Sequence, residues 1–427
     1  MKRILYRAET LDQFFSFQNN NNDHQIRAVI RLWGQLDQAT LRAALFLSLK
    51  EIPVLGCKYN EGSIRSTWEQ INLDKINTDV VSIVETGDVE TEMDRFLATQ
   101  IDYHKGPQLI VRIVRCEDSD TLCVIINHMV FDGTAFKQYL LRLGQLYSGL
   151  TEKNKMIEGK YICPDRSLGH IFRQFKKGQL LDFAFKKREN IYKGDIVHFP
   201  RDKDGFMRGM FLHVRIEGQE FLDLVQFSKS NNVSINDVIL SAYYLALYKV
   251  IDIKGVVLQI PCMIDLRRYL PDNNKMLFAN LASMFQTECP EFKSLLPTVM
   301  KIHLQMSEKK VEFPGLSGLP LLNFIRRILP HMLFKKVVSR AVKYPQISIT
   351  NIGIIPSELA FGNIPIADIY LLTALKLAPA FQLSFSTYKE AMTFSVALSG
   401  TETDRKRVTE FLDIFLKQLP INQTFMH

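Results

Sequence analysis

One short segment constrains the architecture most. The five residues 122–126, Leu-Cys-Val-Ile-Ile, are apolar at every position. Such a run is typical of a strand that is covered on both faces in the middle of a sheet. This strand is predicted over residues 121–128, paired with a strand over 108–116 around a turn at 117–120, and a helix is predicted over 134–147. The pattern predicts an α/β chain in which strands alternate with helices.

The same alternation occurs on both sides of a basic stretch. Further strands are predicted over residues 25–32, 211–216, 256–261, 346–351, 368–374, 382–387 and 392–398, and one beginning at Pro53. Further helices are predicted over residues 39–50, 88–100, 235–250 and 403–419. Asp37 can cap the first of these, and Ser234 to Asp237 fits a capping box that opens the third. We expect two α/β halves, 1–165 and 205–427, joined by a basic linker over 166–204.

Composition places the chain among globular proteins. Of its 427 residues, 47% are hydrophobic and 23% are charged, which is ordinary for that class. No stretch reaches about 18 uncharged apolar residues, and the first residues lack the apolar core of a secretory signal. A cytoplasmic protein is therefore expected. The cysteines form no C-x-x-C pair, so no metal site is expected; apolar neighbours of Cys123 and Cys262 favour buried, reduced thiols over disulfides.

The net charge of +8 fits an acidic partner. That partner is a phosphate-bearing cofactor, an acidic carrier protein, a membrane surface or a nucleic acid. On the charge alone, an ordinary solvated basic surface is the favoured interpretation. No zinc finger, RNA-recognition signature or glycine-rich phosphate loop is present. A nucleic-acid partner is therefore not expected.

Three residues after the buried strand carry the strongest chemical signal. His128 stands at the strand end, and Asp132 and Gly133 follow just before the helix. An imidazole titrates near neutral pH and can take a proton from a hydroxyl, amine or thiol. Asp132 is suited to setting the local backbone or pairing with an arginine, and Gly133 lets the backbone approach a ligand closely. The competing interpretation is that Asp132 is only a helix N-cap and His128 an ordinary turn residue.

The spacing His128-x-x-x-Asp132-Gly133 resembles the HHxxxDG motif of the condensation-domain and chloramphenicol-acetyltransferase superfamily of acyltransferases. Other segments resemble the superfamily in the same order along the chain, with free-standing alcohol, wax-ester and phthiocerol-type acyltransferases as the nearest likeness in the second half. These segments are residues 30–37, 41–45, 53–55, 106–109, 234–240, 260–268 and 350–353. The resemblance covers nearly the whole chain.

The sequence departs from the motif at one position. Asn127 stands where the superfamily has its first histidine. In the superfamily the second histidine is the catalytic one, so the change is compatible with activity. It weakens an assignment to peptide-bond-forming condensation domains and keeps open a binding or scaffold protein without turnover. An Asp-Phe-Gly-Trp-Gly motif is absent, which argues against the plant-type branch.

The resemblance implies both a fold and a reaction. The fold is two chloramphenicol-acetyltransferase-like halves in a V around a central tunnel. His128 acts as the general base on a small-molecule acceptor that attacks a thioester donor. That donor is acyl-CoA or a phosphopantetheine thioester on an acyl or peptidyl carrier protein, and no cofactor is bound permanently. A hydroxyl acceptor is preferred, and a stand-alone amide-forming condensation enzyme of a natural-product pathway is the alternative. A monomer suffices, because both halves of the tunnel come from one chain.

The resemblance also implies roles for other residues. Asp132 orients the motif turn by pairing with an arginine, for which Arg267 is preferred to Arg268. The candidate tunnel-lining residues are Asn127, Asn351, Gly353, Ser384 and Ser386. Asn351 and Gly353 form a plain turn equally well. The two serines alternate with apolar residues and so share one face of their strand, which meets either the tunnel or solvent.

A basic segment over residues 324–343 has helical spacing, and Pro330 is expected to kink or break it. The favoured interpretation is an ordinary amphipathic helix packed on the second half. The other is a lid or a docking surface for a membrane, a lipid acyl chain or an acidic carrier. Peripheral membrane contact therefore stays open.

Overall fold

The computed structural model describes residues 4–17, 21–73, 80–151, 165–186, 197–251, 253, 255–271, 277–342 and 346–422. The strands are β1 Leu5–Arg7, β2 Gln25–Leu32, β3 Cys57–Asn60, β4 Thr67–Gln70, β5 Val81–Glu85, β6 Leu109–Cys116, β7 Ser119–Asn127, β8 Arg208–Glu217, β9 Leu258–Asp265, β10 Ala282–Cys289, β11 Ile347–Ile354, β12 Ile366–Leu372, β13 Phe381–Tyr388 and β14 Ala391–Gly400. The helices are α1 Thr10–Ser16, α2 Gln38–Glu51, α3 Val89–Leu97, α4 Gly133–Thr151, α5 Gly169–Phe172, α6 Lys177–Phe185, α7 Gly218–Ser230, α8 Ile235–Val250, α9 Leu295–Val311, α10 Leu319–Ile328, α11 His331–Ala341 and α12 Glu402–Leu416.

The apolar strand lies at the centre of the first large sheet. This sheet has five strands in the order β12-β2-β7-β6-β5, and β7 pairs antiparallel with both neighbours. Every residue of β7 after Ser119 is buried, as the run of apolar residues predicts. The turn into β7 is tighter than expected, because pairing continues to Cys116 and Ser119. The central position of β7 fixes where the following loop and α4 begin.

The second large sheet has six strands in the order β10-β9-β11-β13-β14-β8. Here β11 runs parallel to both β9 and β13, whereas the other pairs are antiparallel. One strand from this part of the chain leaves it: β12 pairs antiparallel with β2 at the edge of the first sheet. The residues after β12 therefore lie next to the start of β2.

Each large sheet has its own core. One buried cluster joins β2, β7, α2 and α4, and a second joins α8, β13, β14 and α12. Helix α8 is buried from Asp237 through Leu247 and starts with the predicted capping box, in which Ser234 accepts from the amide of Asp237. The predicted class, α/β with two sheet-and-helix halves, is confirmed.

The element boundaries confirm most predictions and correct one. The strand over residues 25–32 is β2, and Asp37 caps α2 by accepting from the amide of Thr40 at 2.7 Å. The strand predicted to begin at Pro53 is wrong, because Pro53–Gly56 forms a 3-10 helix and β3 starts only at Cys57. Proline has no N–H to give to a strand ladder. The sequence patterns also missed α7, α9 and β10.

The basic segment is two helices, α10 and α11, separated at Pro330 as predicted. Their buried faces pack on both halves: Leu319 joins a cluster with Leu266 of the second half and Leu11 of α1, and Phe334 packs with Phe14. The favoured packing on the second half is therefore only part of the contact. Asn323 accepts from Thr10 Oγ1 at 2.6 Å, and Phe334 lies 5.6 Å from Phe17, measured between ring centroids. The buried side chains of both helices complement α1 and its surroundings, which periodicity alone does not show.

The remaining expectations concern the basic linker, the cysteines and membrane-spanning helices. Within the predicted linker, residues 166–186 contain the short helices α5 and α6, and residues 187–196 lie outside the described residues. Cys163 also lies outside them, and the five described cysteines are free. Burial raises the pKa of Cys123 and Cys262 to about 12, so both thiols are protonated at neutral pH. In the described part of the chain, no helix combines the length and apolarity that crossing a bilayer requires.

Candidate active site

A cavity of about 270 Å³ lies between the two large sheets and takes its walls from both halves of the chain. The first half contributes Phe15, His128 and Gly133, and the second contributes Met284, Thr350 and Gln382. The wall presents more apolar than polar surface, and polar side chains, His128 among them, line it at several points. That composition is typical of a small-molecule site.

His128 is held in one tautomer by the loop that follows β7. Its amide donates to the carbonyl of His24 at 2.7 Å, and its Nδ1 lies 2.7 Å from the carbonyl oxygen of Phe131. Because a carbonyl oxygen can only accept, Nδ1 carries the proton and Nε2 keeps its lone pair. The ring of Phe15 packs on the imidazole with 4.9 Å between centroids.

Burial keeps the imidazole of His128 neutral. Burial lowers the pKa of His128 from its ordinary value of 6.5, and the carbonyl of Phe131 and the charge of Asp132 only partly oppose that shift. At neutral pH the ring is therefore uncharged, with a basic nitrogen available.

Asp132 is a helix cap and an ion-pair partner at once. Its Oδ1 accepts from the amide of Ala135 at 2.9 Å in the first turn of α4. Its Oδ2 accepts from Arg267 Nη1 and from the amide of Leu281, both at 2.7 Å. Arg268 points elsewhere, over the ring of Tyr269. With both oxygens occupied, Asp132 orients the loop and is not free to exchange protons with a ligand.

Arg267 and Asn280 attach the segment before β10 to the motif loop. Arg267 Nη2 donates to the carbonyls of Leu277 and Ala279 at 2.6 and 2.7 Å. Asn280 Nδ2 donates to the backbone carbonyl of His128 at 2.6 Å. Sequence reasoning missed Asn280, because no local pattern distinguishes it; its contact joins residues 152 positions apart.

A second buried arginine supports the loop from another side. Arg166 forms a two-point contact with Asp12, at 2.7 and 3.0 Å, and also donates to the carbonyl of Val130 at 2.7 Å. Trp68 Nε1 donates to the same carboxylate at 2.8 Å. Sequence reasoning placed Arg166 at the start of the basic linker and gave it no role.

The position that departs from the motif does not face the cavity. Asn127 is buried; its Nδ2 donates to Gln108 Oε1 at 2.7 Å, and its Oδ1 accepts from the amide of Met129 at 2.9 Å. It therefore braces the turn against β6. Gly133 does line the cavity, but a Cβ there would lie 2.9 Å from Ile352 Cγ2, so its small size allows α4 to approach β11.

The turn predicted at Asn351 and Gly353 is wrong: both residues lie in β11, at an irregularity of its pairing with β13. Of the two, Asn351 lines the cavity and Gly353 does not. Asn351 Nδ2 donates to Asn236 Oδ1 at 2.7 Å, and its Oδ1 accepts from the amide of Gly353 at 2.7 Å. Gly353 has a φ of 91° and lies close to Lys137, where a Cβ would stand 2.6 Å from Nζ. This position therefore favours glycine for its positive φ, whereas the flexible end of the Lys137 side chain could move away from a Cβ.

Neither the tunnel nor solvent, the two environments expected for the face of Ser384 and Ser386, is found there. Ser384 and Ser386 share a face as predicted, but they are buried between strands and line neither cavity nor solvent. Ser384 Oγ donates to the carbonyl of Ser395 in β14 at 3.1 Å. Ser386 Oγ accepts from the amide of Leu371 in β12 at 3.3 Å. The cause is β12, which covers this face on its way to the first sheet.

Known proteins resemble the chain at two levels. Residues 281–419 match the family model described as the WS/DGAT C-terminal domain. Nonribosomal peptide synthetase 5 from Gibberella zeae is 22% identical over 148 residues, which are 34% of this chain and 1% of that synthetase. Each match covers only part of the chain.

Solved structures match almost all of it. The epimerization domain from the third module of tyrocidine synthetase B has 15% identity and a TM-score of 0.70, over 98% of this chain and 96% of that one. Trichothecene 15-O-acetyltransferase from Fusarium sporotrichioides has 14% identity and a TM-score of 0.70, over 97% and 95%. The chain has the fold of the condensation-type acyltransferases. A starter condensation domain of rhizomide synthetase, solved with C8-CoA, has 11% identity and a TM-score of 0.67 over 97% and 94%. The resemblance stated from the sequence is confirmed, and at these identities it shows the fold.

Proposed function

We propose that this protein is an acyltransferase that moves an acyl group from a thioester to a hydroxyl acceptor, with Nε2 of His128 as the general base. One observation carries the proposal. His128 lines the cavity, and its Nδ1 donates to the carbonyl of Phe131 at 2.7 Å, which leaves Nε2 unprotonated. A positioned base of this kind needs only a ligand within hydrogen-bond reach.

The reaction follows from that tautomer. The acceptor gives its proton to Nε2 as its oxygen attacks the thioester carbonyl, and the tetrahedral intermediate then collapses with cleavage of the C–S bond. The imidazolium returns the proton to the departing thiolate, so His128 ends as it began. No acyl-enzyme forms, and holding both substrates at one imidazole supplies proximity.

The start of α4 supports the same proposal. Gly133 and Thr134 line the cavity at the N-terminal end of this helix. The first amides of a helix carry partial positive charge and favour a developing oxyanion. Asp132 and Arg267 fix the start of this helix, so we assign both to orienting the loop.

We propose acyl-CoA or a phosphopantetheine thioester on a carrier protein as the donor, used as a co-substrate. The shared fold of a starter condensation domain solved with C8-CoA supports this donor class. An amine acceptor, and hence amide formation, is the alternative within the same chemistry. Residues 1–165 and 205–427 would supply the two halves of the site, and the site proposed needs one copy of the chain.

The competing function is a binding or scaffold protein that keeps the fold without turnover. Asn127 raised that alternative, since it replaces a histidine of the motif. Its contacts with Gln108 and Met129 brace the turn, and it does not line the cavity. The replacement therefore leaves the wall around His128 unchanged, which favours an active enzyme.

The test measures thiol release from acyl-CoA in the presence of alcohol and amine acceptors. His128→Gln should lower kcat/KM by about 10²–10⁴-fold, the usual contribution of a general base, with little change in thermal unfolding. The matched control is His303→Gln, because His303 pairs with Asp237 at 2.8 Å and does not line the cavity. Equal turnover in the two variants would contradict the general-base role, and absence of turnover in the unaltered protein would favour the scaffold.

Helices α10 and α11 support a further proposal, peripheral contact with an anionic lipid surface. Phe324, Ile328 and Met332 are 59%, 60% and 57% exposed, and the exposed Arg327 and Lys336 lie among them. Apolar side chains interleaved with basic ones suit the headgroup boundary of a bilayer. The protein should sediment with phosphatidylserine-containing vesicles, and Phe324→Ser with Met332→Ser should weaken this binding; equal sedimentation of the double variant would contradict the contact.

A further inference from the structure

The charged side chains that line the cavity differ in whether an opposite charge pairs with them. The Asp, Glu and Lys residues that line it are Asp132, Lys186, Asp265, Lys309, Glu312 and Lys376. Arg267 pairs with both aspartates, at 2.7 and 3.0 Å. Glu312 pairs with Lys186 and Lys309, at 3.5 and 3.8 Å. Among the described residues, Lys376 has no carboxylate within ion-pair distance.

The backbone around Lys376 is fixed. Its amide donates to the carbonyl of Ala397 and its carbonyl accepts from the amide of Ser399, both at 2.9 Å. Asp23, the acid whose charge raises the pKa of Lys376, is engaged by other groups: it forms a buried ion pair with Arg27 and accepts from the amide of Leu375 at 2.9 Å. The backbone position of Lys376 is therefore set by the fold, and its ammonium group is not paired with a carboxylate in the described part of the chain.

Lys376 is also electrostatically close to the proposed base. Burial lowers the pKa of His128 most, and the charge of Lys376 lowers it further. Burial lowers the pKa of Lys376 itself to about 8, against the opposing effect of Asp23. An ammonium group removed from water without a counterion is unfavourable, and a bound anion relieves that cost.

A neighbouring hydroxyl points to the same kind of ligand. Thr373 lines the cavity and is 8% exposed, and its Oγ1 has no hydrogen-bond partner among the described residues. A buried donor without a partner costs free energy, which an acceptor on a ligand recovers. A carboxylate has acceptor sites for both an ammonium and a hydroxyl.

We propose that Lys376 and Thr373 form a carboxylate-binding subsite beside His128, so that one of the two substrates carries a carboxylate close to its reacting atom. The phosphates of coenzyme A do not meet this need, because the pantetheine arm separates them from the thioester. Binding of a carboxylate at this subsite does not depend on turnover. Whether the carboxylate belongs to the acyl chain or to the acceptor is a question that rests on the function proposed above.

The first experiment measures binding without turnover, by calorimetry with octanoate and octanamide as probes. They are matched in chain length and differ in charge. Octanoate should bind the protein at least about tenfold more tightly, as expected for a charge-assisted contact. This preference should fall to about twofold or less in Lys376→Met and persist in Lys309→Met, which removes a charge elsewhere on the wall. Thr373→Val should reduce it less. No preference in the unaltered protein, or an unchanged preference in Lys376→Met, would overturn the subsite.

The second experiment locates the carboxylate. Thiol release is compared for succinyl-CoA against butyryl-CoA, and for 3-hydroxybutyrate against its amide as acceptors. A rise in KM confined to succinyl-CoA in Lys376→Met supports a carboxylate on the acyl chain, and one confined to 3-hydroxybutyrate supports it on the acceptor. A lower kcat for charged and neutral substrates alike would overturn the subsite in favour of a role in the reaction step. If no pair turns over, the proposed function fails while the octanoate titration still decides the subsite.

Discussion

Two buried arginine–aspartate pairs hold the same loop, the one that carries His128 after β7, and they do so differently. In the Asp132–Arg267 pair, the aspartate belongs to the loop and the arginine comes from the second half of the chain. In the Asp12–Arg166 pair, the aspartate belongs to α1, and the arginine reaches the loop through the backbone carbonyls of Val130 and Met129, at 2.7 and 3.5 Å. The side chains in both pairs are 8% exposed or less.

The difference lies in what each carboxylate does besides pairing. Asp132 also caps α4 and accepts from the amide of Leu281, so it joins the motif loop, the helix and the segment before β10. Asp12 accepts instead from the amide of Glu9 and from Trp68, which secures α1. We therefore expect the first pair to control the position of His128 and the second chiefly to control stability.

The largest effect should come from removing the loop carboxylate. Asp132→Ala leaves Arg267 buried without its main counterion and removes a helix cap. Breaking a buried pair costs about 3–5 kcal/mol, and kcat should fall as well, because the loop that orients His128 is released. Denaturant unfolding and thiol release measure the two effects. The control is Asp132→Asn, which keeps an oxygen for the amide of Ala135; unchanged stability of Asp132→Ala would contradict the orienting role.

The second pair gives the contrasting prediction. Arg166→Met leaves Asp12 with its bonds to Trp68 and the amide of Glu9, so the loss should be smaller, about 1.5–3 kcal/mol for hydrogen bonds to a charged group. In the folded fraction kcat should stay within about tenfold of normal, since the Nδ1 bond of His128 is untouched. A fall in kcat as large as that of Asp132→Ala would erase the distinction between the pairs.

A smaller effect is expected at Asn280, which lies on the same side of the loop as Arg267. Asn280→Ala removes the hydrogen bond to the carbonyl of His128 and the local one that Oδ1 accepts from the amide of Ala282 at 3.1 Å. The free energy of unfolding should fall by about 1 kcal/mol, and KM should change less than kcat because Asn280 does not line the cavity. Asn280→Gln serves as the control for polarity. A larger loss of stability than in Arg166→Met would reverse the order proposed here.

The sequence predicted the parts of the site that are local in the chain. Strand β7, the loop and α4 follow one another within about 30 residues, and each leaves a periodic or capping signal. The choice of Arg267 over Arg268 came from the family resemblance, and the structure places Arg267 against Asp132. The elements that follow one another along one continuous segment could therefore be predicted from the sequence alone.

The parts that were missed depend on contacts between distant segments. Arg166 lies 154 positions from Asp12, and Asn280 lies 152 from His128. Lys376 reaches the cavity only because β12 crosses to the edge of the first sheet beside β2. The same crossover buries Ser384 and Ser386, whose shared face was predicted although its covering was not. The two-residue periodicity of a strand shows which residues share a face. What packs against that face depends on the topology of the whole chain.

The smallest predicted effect concerns the pH dependence, and it separates the two pairs most cleanly. Burial lowers the pKa of His128 below its ordinary value of 6.5, and Asp132 is among the groups that raise it. Because protonation of Nε2 removes the base, kcat/KM should be lost as pH falls through a value below 6.5. In Asp132→Asn one stabilising charge is gone, so the acid limb should move to still lower pH. In Asp12→Asn it should not move, because the carboxylate of Asp12 acts on the loop only through Arg166. A pH–rate profile on the folded fraction of each variant measures this, and equal shifts in both would show that the two pairs act on His128 through charge alone.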